Sequence, residues 1–385
     1  MRSSHFWLQE NWQASHERMA NARMECAAAM LAAALTISLS AQIVPAMGAS
    51  LPIDQPQNPA AAKMQQQIEQ DVRMAGNFLF GKGVAKDPVR AAYWFRKAAD
   101  LGDPAAQNEM GYLYVWGLGV DRDPSQAFKW FARSAGSGWQ QAKLNLAVLY
   151  MRGIGVTKDA AFGRQLMTDL AQRGNARAQD YLGVMYLDGD GVAKDPRAAE
   201  EWFSRSAKSR NPEGEFAMGQ LYSAAADHEH DYGKAAKYLR DSAKTGYVPA
   251  MYTLGVLLVK HPEVGRKGSG EAMTMLRRAA EAGTWQSSAM LGQMASQGQE
   301  SPQDPREAFR WFTIAALQGG PTAQAKTNAS LAQCRAALTA GEQDQEQRAA
   351  ESWMRDHPHA DLFVSDGIRE PFAVGEVYAM RASAQ

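Results

Sequence analysis

Cysteine is nearly missing from this 385-residue chain, which has two, Cys26 and Cys334. Cys26 falls in a segment expected to be removed, so a mature chain keeps one thiol, and that excludes an intramolecular disulfide framework. Net charge is missing as well. Lys and Arg number 41 and Asp and Glu 41, a balance that argues against bulk electrostatic capture of nucleic acid or an anionic membrane. The apolar run Cys26–Ala41 is short for a membrane span. No Ser/His/Asp or Cys/His arrangement stands out, and no paired carboxylates have an assignable pocket. Catalytic residues, cofactor-binding residues and metal ligands are therefore all read as none.

Two stretches resemble chemistry without supporting it. Asp227-His228-Glu229-His230-Asp231 would send its two histidines to opposite sides if extended, and no second ligand group sits at a defined spacing. It reads as a solvated loop with Asp231 as a helix cap, and His357 and His359 get the same reading. Gly265-Arg266-Lys267-Gly268-Ser269-Gly270 lacks the spacing of a phosphate loop and marks a lengthened turn.

The N-terminus sets the expected compartment. Arg18 and Arg23 precede the apolar run, and Ala46-Met47-Gly48 follows with small residues, the order of a secretory signal. Residues 1–48 are read as that signal, with Met19 or Met24 as an alternative start, because Glu10, Glu17 and Glu25 sit badly in a leader. A transmembrane anchor or a chance apolar helix is the competing reading. Residues 49–63 hold Pro52, Pro56 and Pro59 among Gln and Asn and read as an extended linker. The expected location is periplasmic or secreted, with no membrane span in the mature chain.

What the chain has in plenty is repetition. Gly-x-Gly-Val recurs at a step of 36 residues from Gly81, Gly117, Gly153 and Gly189. Tyr114, Tyr150, Tyr186 and Tyr222 keep step, as do Asp87, Asp123, Asp159 and Asp195. A fixed period of this length is the mark of a solenoid whose units stack on their neighbours. The glycines suit a tight turn after one helix. Asp-Pro, repeated at Asp87, Asp123, Asp195 and Asp304, suits the start of the next, with Asp as N-cap and Pro in the first turn. The first helix carries Ala-x-x-Trp-Phe, as in Ala91/Trp94/Phe95 and Ala127/Trp130/Phe131, a helical stripe with weaker copies at Leu166/Met167, Tyr238/Leu239 and Met275/Leu276. The second carries Gly111, Gly183, Gly219, Gly255 or Gly292 at one phase. Each costs about 1 kcal/mol of helix propensity, so a neighbouring Trp-Phe pair is expected to press close there.

These motifs together strongly resemble the Sel-one-like repeat, a branch of the tetratricopeptide-like helical repeats, over Met64 to Gly320. The resemblance implies an all-α, right-handed α-solenoid of antiparallel helix pairs whose first helices line the concave side. It also implies an adaptor role, often in bacterial envelopes. The expected organisation is a repeat array over 64–320, C-terminal capping helices over 321–357 and an irregular tail over 358–385. That tail is read either as disordered or as a strand returning into the groove.

The expected function is non-catalytic: a protein or peptide partner bound on the concave face. A cell-wall enzyme, suggested by cysteine-rich relatives that bind β-lactams, and a structural spacer are the alternatives. The paired cysteines of those relatives are absent here. Candidate partner-binding residues are Tyr93, Lys97, Lys129 and Arg133, which share the first-helix face by i, i+3 and i, i+4 spacing. The out-of-phase tryptophans Trp116 and Trp139 join them, because aromatics are enriched at hot spots.

Overall fold

A computed structural model describes residues 59–224, 231–265, 270–299 and 301–357. The leader, most of the linker, the histidine-bearing loop apart from Asp231, the turn at 266–269 and the tail lie outside the described residues. Within them the fold is an all-α solenoid of paired helices, with no strand.

The chain divides into two units at Arg173/Gly174. The described part of the first holds α1 (Pro59–Phe80), α2 (Pro88–Asp100), α3 (Pro104–Trp116), α4 (Pro124–Gly136), α5 (Gln140–Arg152) and α6 (Ala160–Gln172). Because α1 starts at Pro59, residues 59–63 belong to a helix and not to the linker expected there. The second unit holds α7 (Ala176–Asp188), α8 (Pro196–Lys208), α9 (Pro212–Ala224), α10 (Tyr232–Lys244) and α11 (Val248–Lys260). It continues with α12 (Glu271–Glu281), α13 (Trp285–Gln297), α14 (Pro305–Ala336) and α15 (Ala340–Asp356).

The helix boundaries follow the repeated residues. Asp87 Oδ1 accepts the Arg90 amide at 3.0 Å and opens α2, and Asp123, Asp195 and Asp304 do the same for α4, α8 and α14. Asp159 and Asp231 cap without a following proline. The two glycines of each Gly-x-Gly-Val do different jobs. Gly117 closes α3 in the left-handed conformation, its N–H donating to the Leu113 carbonyl at 2.8 Å. A Cβ on Gly119 would stand 2.0 Å from the Pro88 carbonyl oxygen, so only glycine lets this turn pass the start of the preceding first helix. Gly155 and Pro124 repeat that contact in the next turn.

The core is built on the expected close approach, and phenylalanine or leucine makes it. A Cβ added to Gly111 of α3 would lie 2.5 Å from the Phe131 ring of α4. Gly183 meets Phe203, Gly219 meets Leu239, Gly255 meets Leu276 and Gly292 meets Phe312 in the second unit. Phe95, Phe131 and Phe203 are completely or almost completely buried. Trp94 and Trp202, one residue earlier, are only half-buried. Ala75 and Ala147 occupy the glycine position in α1 and α5, beside the register positions of Phe95 and Met167. Serines in phase add a lock: Ser134 donates to the Pro104 carbonyl at 2.6 Å and Ser242 to that of Pro212 at 2.7 Å.

Two departures from the repeat stand out. The corner after each first helix uses a glycine at positive φ, but Arg210 (φ 56°) takes that place after α8. At the other end, α14 breaks at Gly320 (φ 55°, ψ −148°), and Pro321 starts its second half. Cys334, on that second half, is buried with Phe312, Phe309 and Leu331. Burial raises its thiol above the usual range, so it packs as a small hydrophobe.

Gly111→Ala is expected to lower stability by about 1–3 kcal/mol from overpacking against Phe131, although alanine is the better helix former. A drop in the urea midpoint of the full chain checks this. Arg210→Gly should raise stability by about 0.5–1 kcal/mol, since a left-handed non-glycine residue costs more than glycine's extra unfolded-state freedom; thermal denaturation is the readout.

Candidate partner-binding face

The proposed residues divide into open ones and occupied ones. Tyr93 is 59% exposed on α2, its ring set edge-on to Trp94 at 5.3 Å. Val89, one turn earlier on the same face, is 65% exposed. Sequence reasoning passed it over, although i, i+4 spacing from Tyr93 marks it. Lys129 on α4 is exposed and makes no ion pair among the described residues.

Lys97 and Arg133 are already engaged. The Lys97 ammonium lies 4.5 Å from the Trp94 ring centre and 3.5 Å from Asp71 Oδ1, whose carboxylate on α1 is fully buried. Arg133 stacks on Trp130 at 4.6 Å and reaches Asp100 at 4.0 Å. In the second unit Arg205 covers Trp202 at 4.5 Å. A cation three residues after the tryptophan thus roofs the ring in α2, α4 and α8, an interaction of about 0.5–2 kcal/mol.

Of the two tryptophans, Trp116 ends α3 half-buried against the core of the first unit. Its indole N–H is buried with no hydrogen-bond partner among the described residues. Trp139 stands half-buried at the N-cap position of α5, where it supplies no side-chain cap.

Behind this face a polar seam joins α3 to α5. The Asn145 amide donates to Asn108 Oδ1 and to the Tyr112 hydroxyl, each at 3.0 Å. Asn108 in turn donates to Glu109 Oε1 at 3.3 Å. Glu109 is buried, and desolvation pushes its carboxyl up to about 8 against the pull of the Asn108 bond. In the second unit burial likewise holds Asp180 well above the carboxylate range, although Asn211 donates to it. Among the described residues no group of three or more His, Cys, Asp or Glu is placed to hold a metal ion. No helix there is long and apolar enough to cross a membrane.

Stacked helix pairs that present open side chains on their first helices define a helical-repeat scaffold. The Sel1 repeat model matches residues 72–103, 104–139, 140–175, 176–211, 212–247 and 285–320, more than half of the chain, and the chain belongs to the Sel1 repeat family. Members are typically non-enzymatic protein-interaction adaptors. A Sel1 repeat protein from Oxalobacter formigenes is 27% identical, with a TM-score of 0.53, over 65% of this chain and 99% of that one. This similarity supports the fold. A protective antigen of uropathogenic Escherichia coli strains, displaying an SLR fold, is 27% identical at TM-score 0.38, over 78% of this chain and 72% of that one. The immunity protein Pa5087 of Pseudomonas aeruginosa is 18% identical at TM-score 0.39, over 69% and 85%. No curated protein matches. The α11–α12 pair lies between the last two matched repeats, consistent with its weaker motif copy.

The raised Glu109 pKa gives a pH dependence. The unfolded chain releases this proton near the ordinary 4.5 and the folded chain near 8, so the folded state holds more protons between those values and stability falls as pH rises. Glu109→Gln should match the parent near pH 4 and exceed it by a margin that grows up to pH 8, by at most about 1.4 kcal/mol per unit. Urea unfolding at pH 4.5, 6 and 8 reads the margin.

Proposed function

We propose that this chain is a non-catalytic adaptor that grips a protein or peptide partner on the first-helix face of its N-terminal unit, in the periplasm or outside the cell. The observation that carries the reading is the combination on α2 and α4. Tyr93 and Val89 are exposed, and the nearby Lys129 has no counter-charge among the described residues. A large aromatic and an unpaired cation on a rigid helix are the elements from which hot spots are built. The cations roofing Trp94 and Trp130 are held by the rings and by Asp71 and Asp100. The location rests on the signal-like order of residues 1–48.

Lys97 is a poor residue for testing this idea, because its removal leaves buried Asp71 without that cation and so confounds binding with folding. Tyr93 and Lys129 are clean probes. The full chain, immobilised and cross-linked in an envelope extract, should recover a defined partner. Tyr93→Ala/Lys129→Glu should reduce recovery by an order of magnitude or more, in the range of hot-spot truncations, with unchanged helical circular dichroism. Undiminished recovery would move the site off this face.

A further inference from the structure

The C-terminal unit already holds a helix on the corresponding face of its last first helix. Glu346 of α15 has a side chain 2% exposed and lies between two arginines of α14. Arg306 donates to Glu346 Oε1 at 2.9 and 3.0 Å, and Arg310 to Oε2 at 2.6 Å. One turn on, Ala350 is completely buried in the cluster that contains Trp311 and Ile314. One further turn on, Trp353 packs edge-on against Trp311 at 5.7 Å. Glu346, Ala350 and Trp353 follow i, i+4, i+7 spacing, the anchor pattern of a helix laid in a groove. The docked helix is acidic, with Glu342, Asp344, Glu346, Glu351 and Asp356 against Arg348 and Arg355.

Superposing the repeats by their Trp-Phe pairs gives the equivalence. Trp311-Phe312 corresponds to Trp130-Phe131 and to Trp94-Phe95. Arg310 then falls on Lys129 and on Tyr93, and Arg306 on Ser125 and on Val89. The position that clamps Glu346 in the last repeat is thus occupied by the exposed cation of α4. Arg133 falls on Ile314, so of the positions held by Arg306 and Arg310 on α14 only the second carries a cation on α4, Lys129, the first being Ser125. On α2 the same positions are apolar and open, Val89 and Tyr93.

We propose that the α2–α4 face binds an acidic amphipathic helix of a partner in the manner in which α14 holds α15, with a partner carboxylate at Lys129 and an apolar stripe over Val89 and Tyr93. The inference rests on the adaptor reading above and specifies its ligand. Charge complementarity argues for this occupant: the face offers a cation without an ion pair among the described residues, and the helix seated on its equivalent is acidic.

The probe is a labelled synthetic peptide of residues 339–357, titrated by fluorescence anisotropy into the full chain, whose own α15 fills the α14 position. Saturable binding is expected, weakened about tenfold or more by Lys129→Glu in the chain or Glu346→Gln in the peptide. A Glu346→Lys peptide should recover binding to the Lys129→Glu chain. Arg310→Ala should leave the titration unchanged. If that substitution abolishes binding, the peptide is entering the α14 position and the inference is overturned. A second peptide with the same charges but an internal proline that prevents a helix separates the two readings. If it binds through Lys129 while the helical peptide does not, the adaptor reading survives and the helical ligand is wrong. If neither binds, both readings of this face fall.

Discussion

The seating of a phenylalanine or leucine on a bare glycine of the preceding second helix sets the geometry of both units. It brings Phe131 onto Gly111 and Phe203 onto Gly183 at distances that leave no room for a methyl group. Once that residue points into the interface, every other position on the first helix is placed by the rotation of about 100° per residue. The tryptophan one residue earlier turns to the rim and stays half-buried in α2 and α8. The residue before it turns to solvent, which is why Tyr93 and Lys129 are exposed. A cation three residues after the tryptophan comes to lie over the ring. The open face is therefore a geometric by-product of the core contact.

Stacked repeats leave an uncovered surface at each end, and a polar outer helix is the usual remedy. Here α15 supplies it with a mostly polar sequence anchored at three points: one carboxylate, one alanine and one tryptophan. The buried Glu346 is tolerable because two guanidinium groups meet both of its oxygens. Stability at the C-terminal end and the recognition proposed for the N-terminal end thus draw on equivalent positions of the same helix type, differing in whether the occupant belongs to the chain.

The periodic residues made much of this architecture legible. Asp-Pro starts, Gly-x-Gly turns, the Trp-Phe stripe and the helical glycines each report a local need: a cap, a left-handed residue, an apolar face, a close approach. The family assignment followed from the same residues. The candidate face was legible only in part. Tyr93 and Lys129 could be placed on solvent by helical phase alone. The engagement of Lys97 with Asp71 could not, because the two lie 26 residues apart on different helices. Val89 was missed because a valine reads as core, although its i, i+4 spacing from Tyr93 sets it on the same exposed face. The clamp on Glu346 was missed because its helix lies beyond the repeats and shares no motif with them.

Alone, then, the sequence determined the repeat length, the helix starts and stops, and which residues face a neighbour. These depend on backbone conformations and spacings that act within one or two turns. Only the tertiary structure decided which charges are spent and which are free. An ion pair or a roofed ring depends on distances between helices, and those are set by packing. That is why Arg133 is occupied over Trp130 while Lys129, four residues before it on the same helix, has no ion pair among the described residues.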